Sequence, residues 1–442
     1  MSKAQEKQSN QNQKEKINRR QFIGTAASGA IALPALVSRI SASQKTDNLK
    51  IGLIGCGWYG MVDLKAAFKA GGVECVALCD VDSAHLKDSA DTLQEMQGFR
   101  PETFKDYRQL LKIDNLQAVI IATPPHWHAL PFMAALDRKL DIYCEKPLAY
   151  DIREGQVMAA AAKKSNQIIQ IGFQRRMNKT LHEVRDFIQQ GNIGRIIQVD
   201  TRINYVAKLK DPTPQDPPAS LDWDLWCGPA PKLPYSPNIG HINWRLEKAY
   251  GNGHLVDWGI HHIDTIRTIL NETTPLYVQA SGGIYHLKNQ ITTPDILTAH
   301  FDFQSCPVFW SHRLWGAREY SPETSNGIFI YGEKGTIFLS DNRWVYIANE
   351  KDSEPQVHEA RSDAGSLLME DFLQAIKTRK QTVCTPEDAF NSTSTVQLAM
   401  IALEAGQKIK WDQNTGTIID NPEAARLIKR DYRAPWQHPY KG

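Results

Sequence analysis

The chain predicts two folded parts of different class. The first is an α/β domain on a parallel, doubly wound sheet; the second is an α+β domain with a large, mostly antiparallel open sheet. Three observations carry this expectation. From Leu49 to about Ile171, short apolar runs alternate regularly with helical stretches, the rhythm of successive β–α units. After Gly172 the apolar runs lengthen and several alternate in period two, as in Thr298-Ala299-His300-Phe301-Asp302-Phe303; a sheet with one open face reads this way. The 442 residues exceed one ordinary domain and suit two.

The first folded part is expected over residues 48–171. Lys50–Ile54 is its first strand. It runs into Gly55-Cys56-Gly57-Trp58-Tyr59-Gly60, which opens a helix, Met61–Ala70. A second strand, Val73–Cys79, ends at Asp80, 20 residues after Gly60. Strand, glycine turn, helix, strand and acid, in that order, make the dinucleotide-binding fingerprint of a Rossmann domain. Gly55 allows the tight turn, Gly57 lets the backbone approach a pyrophosphate, and Gly60 lets the helix pack closely on the sheet. Trp58 and Tyr59 share that turn and are candidate cofactor contacts. The helix N-terminus offers free N–H groups to phosphates, and Asp80 would accept hydrogen bonds from the adenosine ribose. The alternative for the turn is a purely structural strand–helix connection.

Ser83–Gln97, Leu130–Asp137 and Ile152–Ser165 complete the helices, and Leu116–Thr123, Leu140–Cys144 and Gln167–Ile171 the strands. Ligands of such sheets sit at the carboxyl ends of the strands. Besides the glycine turn, two strand ends carry unusual chemistry: Ala122-Thr123-Pro124-Pro125-His126-Trp127-His128 and Tyr143-Cys144-Glu145-Lys146-Pro147. Pro147 biases Lys146 toward an extended conformation, so the ammonium can point off the strand end. There it would hold a substrate oxygen and stabilise negative charge as it develops. Glu145 would fix Lys146 and offset its burial. An ordinary surface Glu-Lys pair is the bland alternative.

The second part is expected over residues 172–415. Its strands are Ile196–Tyr205, Leu276–Tyr285, Ile296–Phe303, Val308–Trp315, Gly327–Tyr331 and Thr336–Leu339. Its late helices, Gly365–Thr378 and Pro386–Gln407, return toward the first part. Between the strands lie a Pro-rich loop, Lys210–Pro218, and irregular sequence from Cys227 to Gly253. The latter leads into Gly253-His254-Leu255-Val256-Asp257-Trp258-Gly259-Ile260-His261-His262-Ile263-Asp264. Asp257, His261 and Asp264 are spaced i, i+4, i+7, which on a regular helix is one face. A carboxylate one turn from an imidazole can fix its tautomer and raise its basicity, as a general base requires. The preceding glycines would allow close approach of a ligand or cofactor. A satisfied core histidine is the structural alternative. A metal is not expected, because no third or fourth ligand has a compelling position. Residues 416–442, rich in Pro and aromatics, are expected to lie extended on a surface, of this subunit or a neighbour.

A net charge of +2 gives no footing for nucleic acid or an anionic membrane surface. Seven scattered cysteines match no common zinc or redox spacing. The first 45 residues are not expected to belong to the fold. Asn18-Arg19-Arg20-Gln21-Phe22-Ile23-Gly24 precedes an uncharged Ala/Gly-rich run, Phe22–Val37. This resembles a twin-arginine export signal, cleaved near Ala42 or kept as an inner-membrane anchor. It implies the twin-arginine export machinery as a partner and the periplasm as location. An amphipathic or disordered leader is the alternative.

The glycine turn, Glu145-Lys146-Pro147 and the Asp257-x-x-x-His261-x-x-Asp264 segment together resemble the Gfo/Idh/MocA family, that is glucose–fructose oxidoreductase, inositol dehydrogenase and relatives. The resemblance covers about residues 48–410. It implies NAD(P)-dependent oxidoreduction of a carbohydrate. Lys146 is then the active-site lysine, His261 the proton acceptor and Asp257 the group positioning it or the substrate, with Asp264 on the same face. Gln174 and Arg175 fall where members present side chains near the nicotinamide. Thr123, Pro124 and His128 fall in the loop that lines the cofactor. His254 departs from the small residue usual there and would narrow the pocket or touch substrate. Asp80, followed by Val81 and Asp82, would repel a 2′-phosphate, so NAD is expected over NADP. Trp223, Trp226, Trp244 and Trp258 offer aromatic faces to sugar rings; one or two of them are expected to do so. A homodimer or homotetramer is implied by resemblance.

Export sets the functional expectation. A protein moved out folded would carry NAD tightly bound and need a closed redox cycle. One form is oxidation of a secondary alcohol of a sugar, coupled to a second reduction or reoxidation. Another is net glycoside hydrolysis by transient oxidation, elimination and re-reduction. The third alternative is a sugar- or nucleotide-binding protein without turnover.

Overall fold

Six strands form an all-parallel sheet: β1 (Leu49–Ile54), β2 (Val73–Cys79), β3 (Glu102–Phe104), β4 (Ala118–Ile121), β5 (Asp141–Glu145) and β6 (Ile169–Gly172). Their order is β3-β2-β1-β4-β5-β6. The computed structural model describes residues 48–316 and 322–441; the expected leader and its arginine pair lie outside the described residues. Helices α1 (Trp58–Ala70), α2 (Ser83–Gln97), α3 (Tyr107–Leu110), α4 (Pro125–Asp137) and α5 (Ile152–Lys163) alternate with these strands. Strands β4, β5 and β6 are buried at every residue, as a sheet covered on both faces requires. The chain leaves β1 for β2 on one side and reaches β4 on the other. That reversal opens a crevice at the carboxyl ends of β1 and β4.

Local chemistry explains the helix starts. Asp82 caps α2 by accepting from the Ala84 N–H at 2.9 Å. Asp151 and Glu154 form a reciprocal capping box on α5. Helix α1 has Gly57 at its cap and no capping side chain, so its first N–H groups stay available to a ligand.

Two sequence expectations change here. Strand β3 was not foreseen: three residues, two of them exposed, carry no readable period. Helix α4 begins at Pro125, not Leu130. Proline is preorganised for the first helical position, so His126, Trp127 and His128 belong to a helical turn rather than to a loop.

The second sheet has ten strands: β7 (Ile196–Asn204), β8 (Tyr277–Gly283), β9 (Ile296–Asp302), β10 (Pro307–Arg313), β11 (Asn326–Gly332), β12 (Gly335–Leu339), β13 (Arg343–Ala348), β14 (Gln356–Glu359), β15 (Ile409–Asp412) and β16 (Thr417–Ile419). Their order is β14-β13-β12-β11-β7-β10-β9-β8-β15-β16. All neighbours are antiparallel except β7 and β10. On β10, Val308, Trp310 and His312 are buried while Phe309 faces out, the alternation of a one-sided sheet. The helices of this part are α6 (Lys179–Gln189), α7 (Trp223–Cys227), α8 (Ile260–Leu270), α9 (Ala364–Thr378), α10 (Pro386–Ala405) and α11 (Pro422–Arg426).

The late helices return to the first sheet as expected. Leu368, Met369 and Phe372 of α9 join the core containing Leu64 and Tyr143. Helix α10 packs against α5 and α8. The end of the chain is more structured than an extended tail. It contributes β16 and α11, and Ile428 enters the main core. Among the described residues no helix is long and apolar enough to cross a membrane.

Candidate active site

Lys146 stands at the carboxyl end of β5, just before a cis peptide to Pro147. Its Nζ donates to the Asp257 backbone carbonyl at 2.7 Å and to Asp257 Oδ1 at 3.0 Å. Asp257 Oδ2 pairs with Arg245 Nε at 2.9 Å. Burial pushes the Asp257 carboxyl up, but Lys146 and Arg245 more than offset it and hold it below the usual carboxylate range. Glu145 does not hold the lysine ammonium. Its Oε2 accepts the Lys146 backbone N–H at 3.2 Å, and its Oε1 accepts from Gln174 Nε2 at 2.6 Å. Burial raises Glu145 to about 7.

The Asp257–His261 spacing does not act as a regular helix would. Leu255–Gly259 forms a π-turn ahead of α8, and the extra residue per turn rotates Asp257 out of register with His261. Asp257 is taken by Lys146 and Arg245, and His261 Nδ1 is buried without a hydrogen-bond partner. Burial, then the Lys146 and Arg175 charges, hold His261 well below the usual histidine range. It is therefore neutral at neutral pH, the form a general base needs.

The preceding glycines serve the chain itself, not a ligand. A Cβ on Gly251 would lie 2.6 Å from Arg245 Cα, and the Gly253 N–H donates to the Arg245 carbonyl at 2.8 Å. They seat Arg245 against Asp257, which the sequence did not reveal.

Lys146, Glu145, Gln174, Arg175, Asp257, Trp258 and His261 line one cavity with Trp58, Tyr59, Thr123, Trp244 and Arg245. Arg175 is fixed by Asp341, with Nε to Oδ1 at 2.8 Å. Three expected members do not reach the cavity. Asp264 is 1 % exposed and bound by Arg176 Nε at 2.8 Å and Ser392 Oγ at 2.7 Å; it ties α8 to α10. His254 is buried behind the site among Tyr205, Trp310 and His312. His128 is buried with its ring nitrogens 2.7 Å from the Pro147 and Thr123 carbonyl oxygens, so it staples two site loops together.

A second cavity adjoins the first and shares Trp58, Tyr59, Thr123, Trp244 and Arg245 with it. It is lined by Gly55, Gly57, Asp80, His85, Tyr107, Pro124 and Trp127, and also by Trp226, His241 and Trp436. Of the four tryptophans singled out, Trp244 and Trp258 reach the lysine cavity and Trp226 this one, whereas Trp223 stacks on Trp226 at 4.6 Å outside both.

The glycine turn has the shape a dinucleotide requires. Gly55 has φ +96°, and a Cβ there would lie 2.7 Å from the Ala122 carbonyl carbon. A Cβ on Gly60 would fall 2.0 Å from the Gly55 oxygen, whereas on Gly57 it would meet nothing within 4 Å. Gly55 and Gly60 are thus required by the fold. Gly57 is not, and its bareness leaves open the approach to the uncapped end of α1. Asp80 accepts from the Cys56 N–H at 2.7 Å and the Asp82 N–H at 2.9 Å, and a carboxylate retains lone pairs for a ribose. The residues fit NAD.

Comparison with known proteins agrees with this geometry. Residues 49–173 match the family model described as oxidoreductase family, NAD-binding Rossmann fold. Residues 177–438 match that of the C-terminal alpha/beta domain of the same family. The fold and site define a two-domain, nucleotide-dependent oxidoreductase. The chain belongs to the Gfo/Idh/MocA oxidoreductase family.

Among curated relatives it is 22% identical to an uncharacterized oxidoreductase, YrbE, of Bacillus subtilis, over 82% of this chain and 97% of that protein. It is 32% identical to inositol 2-dehydrogenase of Salmonella paratyphi B over 35% of this chain and 45% of that one, so the chain matches less than half the length of that relative. Among solved structures it superposes on a levoglucosan dehydrogenase in complex with NADH and levoglucosan. The TM-score is 0.64 at 19% identity, covering 82% of this chain and 99% of the other.

Proposed function

We propose that this chain is an exported NAD-dependent oxidoreductase that acts at a secondary alcohol of a sugar or polyol and retains its nucleotide between turnovers. The carrying observation is the Lys146–Asp257–Arg245 array facing His261 across one cavity that continues into the glycine-turn crevice. Gly55, Gly57, Asp80, Thr123 and Pro124 would hold NAD, with Gln174 and Arg175 toward its nicotinamide end. When bound, NAD accepts the hydride of the alcohol carbon. His261, neutral and partly open to the cavity, takes the hydroxyl proton. Lys146 donates to the substrate oxygen as it gains carbonyl character, and Asp257 holds that ammonium in place. Trp244 and Trp258 offer flat apolar faces to the ring.

Asp80 and Asp82 favour NAD over NADP by repelling a 2′-phosphate. Inositol and levoglucosan dehydrogenation by relatives support a polyhydroxylated substrate. The Arg19-Arg20 leader supports export through the twin-arginine route to the periplasm, and the open face of the ten-stranded sheet supports a homo-oligomer. Retention is supported by the walls of the nucleotide crevice, to which the second domain adds Trp226 and His241 and the chain end adds Trp436. A retained NAD must be regenerated in place, either by reducing a second carbonyl or by an oxidation–elimination–reduction cycle on a glycoside. Purified protein without added NAD, screened against polyols, sugars and aryl glycosides, tests this. Substrate-dependent change in nicotinamide absorbance supports the dehydrogenase, and product without net change supports the glycosidase. No turnover of any of them, with Lys146 and His261 intact, refutes both.

A further inference from the structure

We propose that the end of the chain, Arg430–His438, is part of the nucleotide site: Trp436 forms the adenosine-side wall, and the segment around it latches the dinucleotide in. This rests on the NAD assignment above and assigns a site to a segment that the dinucleotide fingerprint does not include.

The segment is anchored from within. The Arg430 side chain is only 13% exposed, with Nη2 on Glu154 Oε1 at 2.9 Å and on the His126 carbonyl at 2.7 Å. The Tyr432 hydroxyl donates to the same Glu154 oxygen at 2.6 Å. Glu154 is fully buried, so Arg430 supplies the cation that its burial demands. Arg433 then binds the turn after α7: its N–H donates to the Pro229 carbonyl at 2.9 Å, Nε to the Gly228 carbonyl at 3.0 Å, and Nη1 to Asp224 Oδ1 at 2.8 Å. That same turn fixes Trp127, whose indole N–H donates to the Trp226 carbonyl at 2.9 Å. Gly228 lies so close to the Trp127 ring that a Cβ would come within 2.2 Å of it.

Between these anchors and His438, whose Nε2 lies 3.0 Å from Asp151 Oδ2, Trp436 is set edge-on to Trp127 at 4.8 Å, with the Arg108 guanidinium 5.2 Å from its ring. Trp127 and Trp436 line the cavity that holds Asp80, Lys105, Asp106 and Tyr107. These lie at the ends of β2 and β3, on the ribose side of the glycine turn and away from Lys146 and His261. An aromatic wall beside a ribose-binding carboxylate suits a purine base, for which every aromatic face is a stacking surface. An end segment that merely stapled the fold would need Arg430 and Arg433, but not an indole turned into the cavity.

The test compares the full-length chain with Trp436→Ala and Trp436→Phe. Calorimetry on nucleotide-stripped protein measures affinity for adenosine monophosphate and for nicotinamide mononucleotide, and chromatography follows release of bound dinucleotide after dilution. Trp436→Ala should weaken adenosine monophosphate about ten- to hundredfold, speed dinucleotide release by a similar factor, and leave nicotinamide mononucleotide unchanged. Trp436→Phe should stay near the parent chain. Unchanged adenosine monophosphate binding and release in Trp436→Ala overturn the proposal. So does an equal loss for both mononucleotides together with a lowered melting temperature, the mark of general loosening. If the parent chain itself binds neither mononucleotide nor dinucleotide, the NAD assignment fails instead.

Discussion

Asp257 receives the Lys146 ammonium twice, on its backbone carbonyl at 2.7 Å and on its carboxylate at 3.0 Å. The lysine is therefore aimed by the π-turn before α8, not by its own strand neighbour Glu145. Lys146→Ala should lower turnover by on the order of 10²–10³ through loss of charge stabilisation. Asp257→Asn keeps an acceptor but removes the charge that pairs with Lys146 and Arg245, so it should lower turnover while largely sparing nucleotide content. Steady-state kinetics beside the nucleotide content of each purified variant checks both; parental turnover in either variant removes the role assigned here.

The glycine turn separates fold from function by substitution. Gly60→Ala forces a Cβ to 2.0 Å from the Gly55 oxygen and should lower the melting temperature sharply. Gly57 has φ −69° and open space around it, so Gly57→Ala should change stability by no more than roughly 0.5 kcal/mol, as at an unconstrained surface position. It should nonetheless deplete bound nucleotide, because the new methyl stands where the pyrophosphate approaches. Thermal denaturation and nucleotide release on the two variants give opposite patterns if this is right.

His261 carries a sign that can be worked out. Burial first, then the Lys146 and Arg175 charges, depress it below 6.5; the base form persists as pH falls and is lost only below the ordinary histidine range. The acid limb of kcat/KM should therefore lie well under pH 6.5, with the rate flat through that value. Arg175→Gln removes one depressing charge and should move the limb upward. An acid limb at the ordinary histidine position in the parent chain would show that another group takes the proton.

The two sheets were legible in the sequence because each writes its own period: continuous apolar runs at the heart of the covered strands β4 and β5, alternation in the open-faced β9. The glycine turn, Asp80, Lys146 and His261 were legible as candidates because their chemistry is local, and each lines one of the two cavities. What was hidden depends on geometry that no spacing records. The π-turn breaks the i, i+4 relation between Asp257 and His261. Asp264, one turn further along α8 and buried, becomes a structural partner of Arg176 and Ser392. His254 and His128 are filled in by packing and by two carbonyls. Arg245 and Trp436 reach the cavities from segments with no periodicity, brought there by backbone contacts at Gly251 and Gly253 and by the anchors Arg430, Tyr432 and Arg433.

Asp264 thus belongs to stability. Arg176 Nη2 lies 2.5 Å from Asp264 Oδ1, and Ser392 adds a third contact to the same carboxylate. Asp264→Asn leaves Arg176 with the half-exposed Asp388 as its remaining carboxylate, beside the Val383 carbonyl. Breaking a buried pair from one side costs about 3–5 kcal/mol, so chemical denaturation should show a loss of this order, with kcat of the remaining folded enzyme near the parent value. A large kcat effect with unchanged stability would return Asp264 to the active site.

Glu145 should make stability depend on pH in a direction opposite to an ordinary paired carboxylate. Burial raises it from 4.5 to about 7 in the folded chain, so the folded state binds its proton more tightly than the unfolded state does. Its contribution is fully present below pH 4.5 and is lost as pH rises through about 7. Glu145→Gln keeps one acceptor oxygen, which serves Gln174 or the Lys146 N–H but not both, and has nothing to ionise. The difference in melting temperature, variant minus parent, should become more positive between pH 5 and pH 8. A difference that is flat across this range, or falls, would mean that the Lys146 ammonium keeps Glu145 ionised at all these values despite its burial.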